Sequence, residues 1–129
     1  MFALPIDIKE LEYENYGKCV YVSNGIIEAV VTVDLGPRIV RFGFCGEKNL
    51  FYNDLERKGS IYSEEFDELF GEGCKYYHYG GHRLWLSPES YPSTYYPDNE
   101  PVVYGILKDG VSFTPAKQRH NDMQLSFEL

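Results

Sequence analysis

The first half of the chain alternates between apolar and polar residues, the pattern of antiparallel strands that bury one face. Every second residue from 27 to 35 is apolar, and a mostly apolar run occupies residues 19–22. Asn24-Gly25 separates the two runs, and this pair favours the two-residue turns of β-hairpins. The sequence therefore predicts a hairpin here, with further strands expected at residues 6–11, 38–44 and 50–52.

Residues 63–71 predict the one helix of the chain. Ser63 is a favourable N-cap, and the acidic residues that follow it suit the positive end of the helix dipole. Phe66, Leu69 and Phe70 recur on one face, and Gly71 is suited to end the helix. A short helix near residues 63–70 is therefore expected to lean on the sheet through its apolar face.

The second half of the chain predicts another hairpin and a final strand. Residues 102–107 and 111–114 flank Lys108-Asp109-Gly110, which places Asp-Gly at a hairpin tip. Residues 83–86 predict a short strand leading into a proline-rich loop, and residues 123–129 alternate like a strand. That last strand is expected either to pair back into the sheet or to be completed by another chain. The whole pattern indicates an all-β fold, an antiparallel β-sandwich with one short helix.

Length and composition narrow the partners and the compartment. A chain of 129 residues is expected to form a single β-sandwich domain over residues 1–129. Its formal charge of −8 argues against nucleic acid and anionic membranes as partners, because such a surface repels phosphate groups. The three separated cysteines indicate neither a disulfide framework nor a zinc site. With no signal-peptide pattern at its start, the chain is expected to be cytoplasmic.

The residues suited to chemistry concentrate between positions 76 and 99. This stretch holds the only Trp, two of the three His and six of the twelve Tyr. Aromatic rings beside Arg, His and carboxylates, on a backbone shaped by Gly80-Gly81 and prolines, are typical of a site for a polyhydroxylated ligand. The alternative is a packed, Tyr-rich loop and strand of a β-protein.

Other kinds of site find no support in the sequence. His78 and His82 have metal-ligand spacing only on a helix, and the glycines between them prevent one. No nucleophile motif, phosphate loop or cofactor motif is present, so no cofactor is expected. What remains is a set of groups suited to proton transfer near neutral pH, which are His78, His82, His120, Glu89, Asp98 and Glu100.

Several of these residues belong to a sequence pattern that resembles a known group of proteins. Gly80-Gly81-His82-Arg83-Leu84-Trp85, with Ser87-Pro88-Glu89 and Tyr96-Pro97-Asp98-Asn99 after it, resembles a bacterial group of proteins related to the aldose 1-epimerases, the galactose mutarotase-like proteins. Residues 29–39, followed by Asn49-Leu50-Phe51, are similar to the opening strands of that superfamily. The resemblance extends over roughly residues 15–129.

The resemblance implies a large antiparallel β-sandwich with a sugar site on its concave face. Arg83 stands where those proteins have an Arg that hydrogen-bonds the sugar, and their chemistry uses a His acid and a Glu base. The catalytic candidates here are His82 and Glu89, and the candidates for sugar binding are Arg83, Trp85, His78, Tyr79, Tyr96 and Asp98. The family is about twice as long, and its second His and its catalytic Glu lie in the half without a counterpart here. The chain therefore resembles an N-terminal half, which implies sugar binding with weak or no isomerase activity.

Three interpretations stay open at this point. The first is a carbohydrate-binding protein for a mono- or oligosaccharide. The second is a truncated, non-catalytic β-sandwich that acts as a structural or protein-interaction module, with Arg83 paired to Glu89 or Asp98. The third is an unrelated small interaction module. A half-sandwich is further expected to form a homodimer that completes the sheet, or to combine with a second β-rich half.

Overall fold

The computed structural model describes residues 5–129, which form a mostly β molecule with one short helix. The helix lies between two strands of two residues each. In chain order they are β1 (Asp7–Glu12), β2 (Lys18–Ser23), β3 (Ile27–Thr32), β4 (Ile39–Phe44), β5 (Ser60–Ile61), α1 (Glu64–Phe70), β6 (Tyr76–Tyr77), a 3₁₀ turn (Ser93–Tyr95), β7 (Val103–Leu107), β8 (Gly110–Thr114) and β9 (Phe127–Glu128).

β1 to β4 form one antiparallel sheet in sequence order, which confirms the predicted meander. Its central hairpin is fixed by the turn residues: the Asn24 side-chain oxygen accepts hydrogen bonds from the backbone of Ile26 and Ile27, both at 2.9 Å. Gly25 has a φ of +89°, a conformation that glycine adopts without strain. The turn chemistry read from the sequence is thus what sets the register of β2 and β3.

A second antiparallel sheet, in the order β7-β8-β9, packs on the first. The shared core combines Val20 and Val31 of the four-stranded sheet with Val111 and Phe113 of β8, all four fully buried. The hairpin predicted around Lys108-Asp109-Gly110 is confirmed between β7 and β8, but its turn is Lys108-Asp109, since Gly110 already pairs with Leu107 as the first residue of β8. The two sheets therefore bury apolar area against each other, the main source of stability in such an arrangement.

β3 is covered on both faces, although the alternation predicted one buried face. On the side opposite the shared core, Val30 packs with Tyr16, Val40 and Tyr79. This happens because Tyr16, between β1 and β2, and Tyr79, just after β6, pack on that face. The segment after β6 is held there by backbone bridges from Gly80 to Asn53 and from His82 to Ile39. The segment with the candidate residues therefore packs on the outer face of the four-stranded sheet.

The predicted helix is confirmed as α1, which buries Phe66 and Phe70. Ser63 occupies the N-cap position, but its hydroxyl pairs with the hydroxyl of Tyr91 at 2.6 Å and caps no backbone N–H. The buried phenylalanines form a third apolar cluster with Tyr76, which lies in the candidate stretch. The helix thus supports the candidate stretch by packing against Tyr76.

Three predicted strands differ from the structure. Residues 50–52 and 83–86 form no strand, and of residues 123–129 only Phe127 and Glu128 do. Near the second of these, His82 exchanges two backbone hydrogen bonds with Ile39 as an isolated bridge. The final strand pairs back into the sheet, where Leu129 exchanges two 2.9 Å backbone hydrogen bonds with Val111. Within residues 5–129, no helix has the length and apolar character needed to cross a bilayer.

Candidate functional site

The centre of the candidate stretch is the ring of Tyr76, which lies between two arginines. The guanidinium carbons of Arg38 and Arg83 lie 5.2 Å and 4.9 Å from its centroid. Guanidinium groups at this distance are attracted to the electron-rich face of an aromatic ring. Tyr76 is itself buried between α1 and the loop around residue 95, so both arginines are held by a rigid group.

Arg38, just before β4, is a buried residue that the sequence analysis did not single out. Its side chain is 3% exposed and forms two hydrogen bonds with Asp98, Nε to Oδ2 at 3.1 Å and Nη2 to Oδ1 at 2.9 Å. A third hydrogen bond reaches the carbonyl of Tyr77 at 3.1 Å. Burial lowers the pKa of Arg38, but the carboxylate of Asp98 outweighs this and the pKa is raised. Arg38 is therefore a structural ion-pair partner.

Arg83 differs from Arg38 because it has no carboxylate partner in the described part of the chain. It is half-buried, it donates one hydrogen bond from Nη2 to the carbonyl of Thr94 at 2.7 Å, and its guanidinium lies 5.4 Å from the ring centroid of Trp85. Burial lowers the pKa of Arg83, yet an arginine remains charged at neutral pH. Of its five N–H groups, one is paired with a carbonyl, and no carboxylate in the described residues engages the others.

Two small hollows open beside Arg83. The first, of about 40 Å³, is lined by Leu84, Tyr96, Asp98 and Glu100 among others. The second, of about 50 Å³, has a wall that is half polar and half apolar and includes Trp85, Ser93, Thr94, Gln118 and Asn121. Hollows of this size hold one or two water-sized groups each. They can receive individual polar groups of a ligand that rests on the surface, but they cannot enclose a whole sugar ring.

The two catalytic candidates lie on the surface without partners. His82 is exposed, and only its backbone is fixed, through the bridge to Ile39. Glu89 is exposed in the loop that follows Trp85. Across residues 5–129 no hydrogen bond or ion pair involves either of these two side chains. His78 is also exposed, and its ring packs edge-on against Tyr76 at 5.1 Å.

The other candidates divide into inward and outward residues. Tyr79 is 5% exposed and donates its hydroxyl to Asn99 at 2.5 Å; burial, with the nearby Asp98, raises its pKa to about 12. Tyr96 is half-buried against Phe70, and Asp98 is engaged by Arg38, as described above. Tyr79 therefore supports the loop, Tyr96 and Asp98 both support it and line the first hollow, and the 42% exposed Trp85 lines the second; Arg83 lines both.

Gln118 and Asn121 complete the second hollow, and the sequence analysis did not identify either of them as a site residue. The side chains of Gln118 and Asn121 both line it, joined by a 3.0 Å hydrogen bond from Asn121 Nδ2 to Gln118 Oε1. Nothing local in the sequence connects this stretch to Trp85. Only the return of the chain after β8 brings the two together.

Comparisons of the chain with protein-family models, with curated proteins and with solved structures find no match. The observations above define the class as an all-β protein with two packed antiparallel sheets and a surface of arginine and tryptophan at one side. The resemblance to the galactose mutarotase-like proteins stays a prediction.

Proposed function

We propose that this chain binds a carbohydrate on the surface formed by Arg83 and Trp85, and that it has weak or no epimerase activity. The observation on which the proposal rests is the state of Arg83. This charged side chain is half-buried between two aromatic rings, and its one hydrogen bond goes to the Thr94 carbonyl. A guanidinium that is oriented but has free donors is suited to recognising hydroxyl groups of a sugar.

The neighbours of Arg83 supply the other parts of such a site. The indole of Trp85 is 42% exposed, so an apolar ring face is available to the C–H surface of a sugar. Gln118 and Asn121 offer amide groups in the second hollow. Because both hollows are small, the sugar ring would lie across the surface with single hydroxyl groups entering them.

The placement of the acid–base candidates supports a binding role over a catalytic one. General acid–base catalysis needs a group held within hydrogen-bond reach of the proton it transfers. The side chains of His82 and Glu89 are exposed, and no contact within the described residues holds either of them in position. Ring opening and closure of a sugar at this surface would therefore proceed slowly.

The sugar site can be tested with the chain's own fluorescence, since Trp85 is its only tryptophan. Titration with glucose, galactose and their oligosaccharides is expected to change the emission of Trp85 for at least one sugar. Arg83→Lys should lower the affinity for that sugar at least tenfold. Tyr52→Ala, which removes a 77% exposed aromatic ring elsewhere, is the control and should bind normally. The proposal would be refuted if none of the sugars changed the emission of Trp85 and none gave a heat of binding in calorimetry.

Catalysis is tested separately by polarimetry. The mutarotation of galactose and glucose is expected to proceed close to its uncatalysed rate in the presence of the protein. A clear acceleration that disappears in His82→Ala would show that the acid–base part of the proposal is wrong, without affecting sugar binding.

A role as a protein-interaction module is a second candidate, favoured by the edge strand β7. Within the described sheets β7 pairs only with β8, and its Val103 and Ile106 are 74% and 68% exposed. Exposed apolar residues on an unpaired edge are suited to pairing with another strand. The homodimer expected from the sequence could use this edge.

A further inference from the structure

The inner face of the four-stranded sheet is longer than the sheet that covers it. Val22, Ala29 and Phe42 stand opposite one another on β2, β3 and β4, so their side chains share one face. The shared core begins one step further along, at Val20 and Val31. The row of Val22, Ala29 and Phe42 therefore lies at the rim of that core, where the second sheet ends.

An open cavity of about 410 Å³ occupies this end of the molecule, here called the inter-sheet cavity. Its lining is mainly apolar and comes chiefly from the four-stranded sheet, with Val22, Ile27, Ala29 and Phe42, and is completed by Phe51 and by Leu129, which pairs with β8. Packed protein interiors contain few voids larger than a water molecule. A cavity of this volume, with apolar walls, falls in the size range of small-molecule sites.

The cavity is open to solvent, so its apolar walls are partly exposed to water. Ile27 and Phe42 are 37% and 38% exposed, and Leu129 is 41% exposed. Covering apolar surface of this kind releases water and is favourable. A ligand that fills the cavity would gain this free energy without any rearrangement of the two sheets.

The polar groups at the mouth indicate which ligand would fit. Asn24 uses its side-chain oxygen for the hairpin turn, which leaves its amide N–H groups as donors. Asp109, at the tip of the β7–β8 hairpin, lines the same cavity and has no partner within residues 5–129. The net charge of −8 adds to the negative potential of that carboxylate. A hydroxyl or ammonium group matches this mouth, whereas a carboxylate or phosphate is repelled.

We infer that the inter-sheet cavity binds one small apolar molecule with an uncharged hydroxyl or a cationic amine at one end. Its size follows from the volume: at about 30 Å³ for a water-sized group, roughly ten to fourteen non-hydrogen atoms fit. The apolar body lies on Val22, Ala29 and Phe42, and the polar end points to Asn24 and Asp109. This site is separate from the Arg83 surface and does not depend on sugar binding.

Three matched probes test the inference: 4-phenylbutylamine, 4-phenylbutanol and 5-phenylpentanoate, which share a phenylbutyl body and differ in the polar end. Calorimetry with the full chain is expected to show binding of the amine and the alcohol, with the carboxylate at least tenfold weaker. The emission of Trp85 should stay unchanged, because Trp85 does not line the cavity. Equal affinity for all three probes, or no binding of the amine and alcohol, would overturn the inference.

Two variants separate this cavity from other apolar surfaces. Ala29→Leu places a larger side chain on the cavity floor and should abolish binding of both probes, with circular dichroism used to confirm the fold. Asp109→Asn should lower the affinity for the amine several-fold and leave the affinity for the alcohol unchanged. Asp109 is an exposed hairpin residue, so this variant should fold normally. Normal binding by folded Ala29→Leu would contradict the inference. Probe binding that appears only after a dimer of the chain dissociates would also contradict the inference, because a second copy of the chain would then be the occupant of the inter-sheet cavity.

Discussion

Arg38 and Asp98, 60 positions apart in the sequence, form a two-bond ion pair that joins the turn before β4 to the loop before β7. Two backbone hydrogen bonds reinforce the junction, from Gly36 N–H to the Asp98 carbonyl at 2.8 Å and from Val102 N–H to the Val33 carbonyl at 2.7 Å. The pair thus fixes the loop that carries Tyr96 and, with it, one wall of the hollow beside Arg83.

Removing one partner of this pair should strongly destabilise the protein. Asp98→Ala leaves a buried guanidinium without its counter-ion, and we expect the free energy of unfolding to fall by about 3–5 kcal/mol. Urea denaturation followed by circular dichroism measures this change. Glu100→Ala, which removes a carboxylate from an exposed ion pair with Arg119, is the control and should cost about 1 kcal/mol or less. Similar losses for the two variants would contradict the structural role of Asp98.

The parts of the fold that the sequence predicted are those determined by local chemistry. Asn24-Gly25 fixes the β2–β3 hairpin through the turn itself, and the apolar spacing around Phe66 is enough to define α1. The β7–β8 hairpin also forms where it was predicted, although its turn is Lys108-Asp109 and Gly110 belongs to β8. The strand expected at residues 83–86 is absent, and the chain before it is held by a tertiary constraint, the close approach of Gly80 to Tyr52 and of Gly81 to Ile39 of β4.

The candidate site could be predicted only in part, for a similar reason. The aromatic and charged composition of residues 76–99 drew attention to Arg83 and Trp85, which the structure brings together. The partner of Asp98 is a different arginine from the one considered in the sequence, and Gln118 joins the hollow from a distant segment. These relationships depend on how the chain returns after β8, which no local pattern encodes.

Gly80 should be hard to replace, because its backbone lies directly against that of Tyr52. A Cβ added at Gly80 would lie 2.1 Å from the Tyr52 carbonyl oxygen, and the φ of Gly80 is +97°. Gly80→Ala is therefore expected to lower the free energy of unfolding by about 3 kcal/mol or more. Gly46→Ala is the matched control, since Gly46 has a φ of +76° and open space around it. That variant should show only the backbone strain, about 1–2 kcal/mol. Equal effects in thermal denaturation would show that the close approach to Tyr52 is unimportant.

The ion pair between Glu28 and Arg41 should make stability depend on acid. Hydrogen bonds from Arg41, at 2.7 Å and 3.2 Å, are the main cause of a lowered pKa for Glu28. In the unfolded chain a Glu titrates at about pH 4.3. Because the folded pKa is lower, the stabilisation is fully present above that pH and is lost as the pH falls through the folded value.

The difference in unfolding free energy between the wild type and Glu28→Gln should therefore shrink as the pH falls below about 4. Urea denaturation at several pH values measures it. Glu47→Gln, which removes an exposed carboxylate nearby, should leave the wild-type pH dependence intact. A constant difference between the wild type and Glu28→Gln at every pH would count against this ion pair.

The homodimer stays a prediction, and the structure changes the surface on which it would form. The final strand pairs with β8, so it does not need a second chain. The edge of β7, with its exposed Val103 and Ile106, is the alternative. We expect light scattering to show a dimer at micromolar concentration that Val103→Lys converts to a monomer, because a charge on an edge strand opposes pairing. Lys108→Arg, a change at the nearby hairpin, should remain a dimer. A monomeric wild type would refute this prediction.

His120 should couple stability to pH in the range above that of Glu28. Its ring stacks on Tyr96 at 5.7 Å and meets Phe70 edge-on at 5.0 Å. Neither ring nitrogen has a hydrogen-bond partner in the described residues. Burial therefore lowers the pKa of His120, and the nearby Ser93 backbone offsets only part of that effect.

Between the folded pKa and the unfolded value near about 6.5, the unfolded chain binds more protons than the folded chain at this position. The free energy of unfolding should consequently decrease as the pH falls from about 6.5 towards the folded value. His120→Phe, which keeps the aromatic packing on Phe70 and Tyr96, should flatten this dependence in urea denaturation between about pH 7 and 5. His78→Gln, which removes an exposed imidazole, serves as the control and should keep the wild-type slope. A slope that persists in His120→Phe would show that another group is responsible for it.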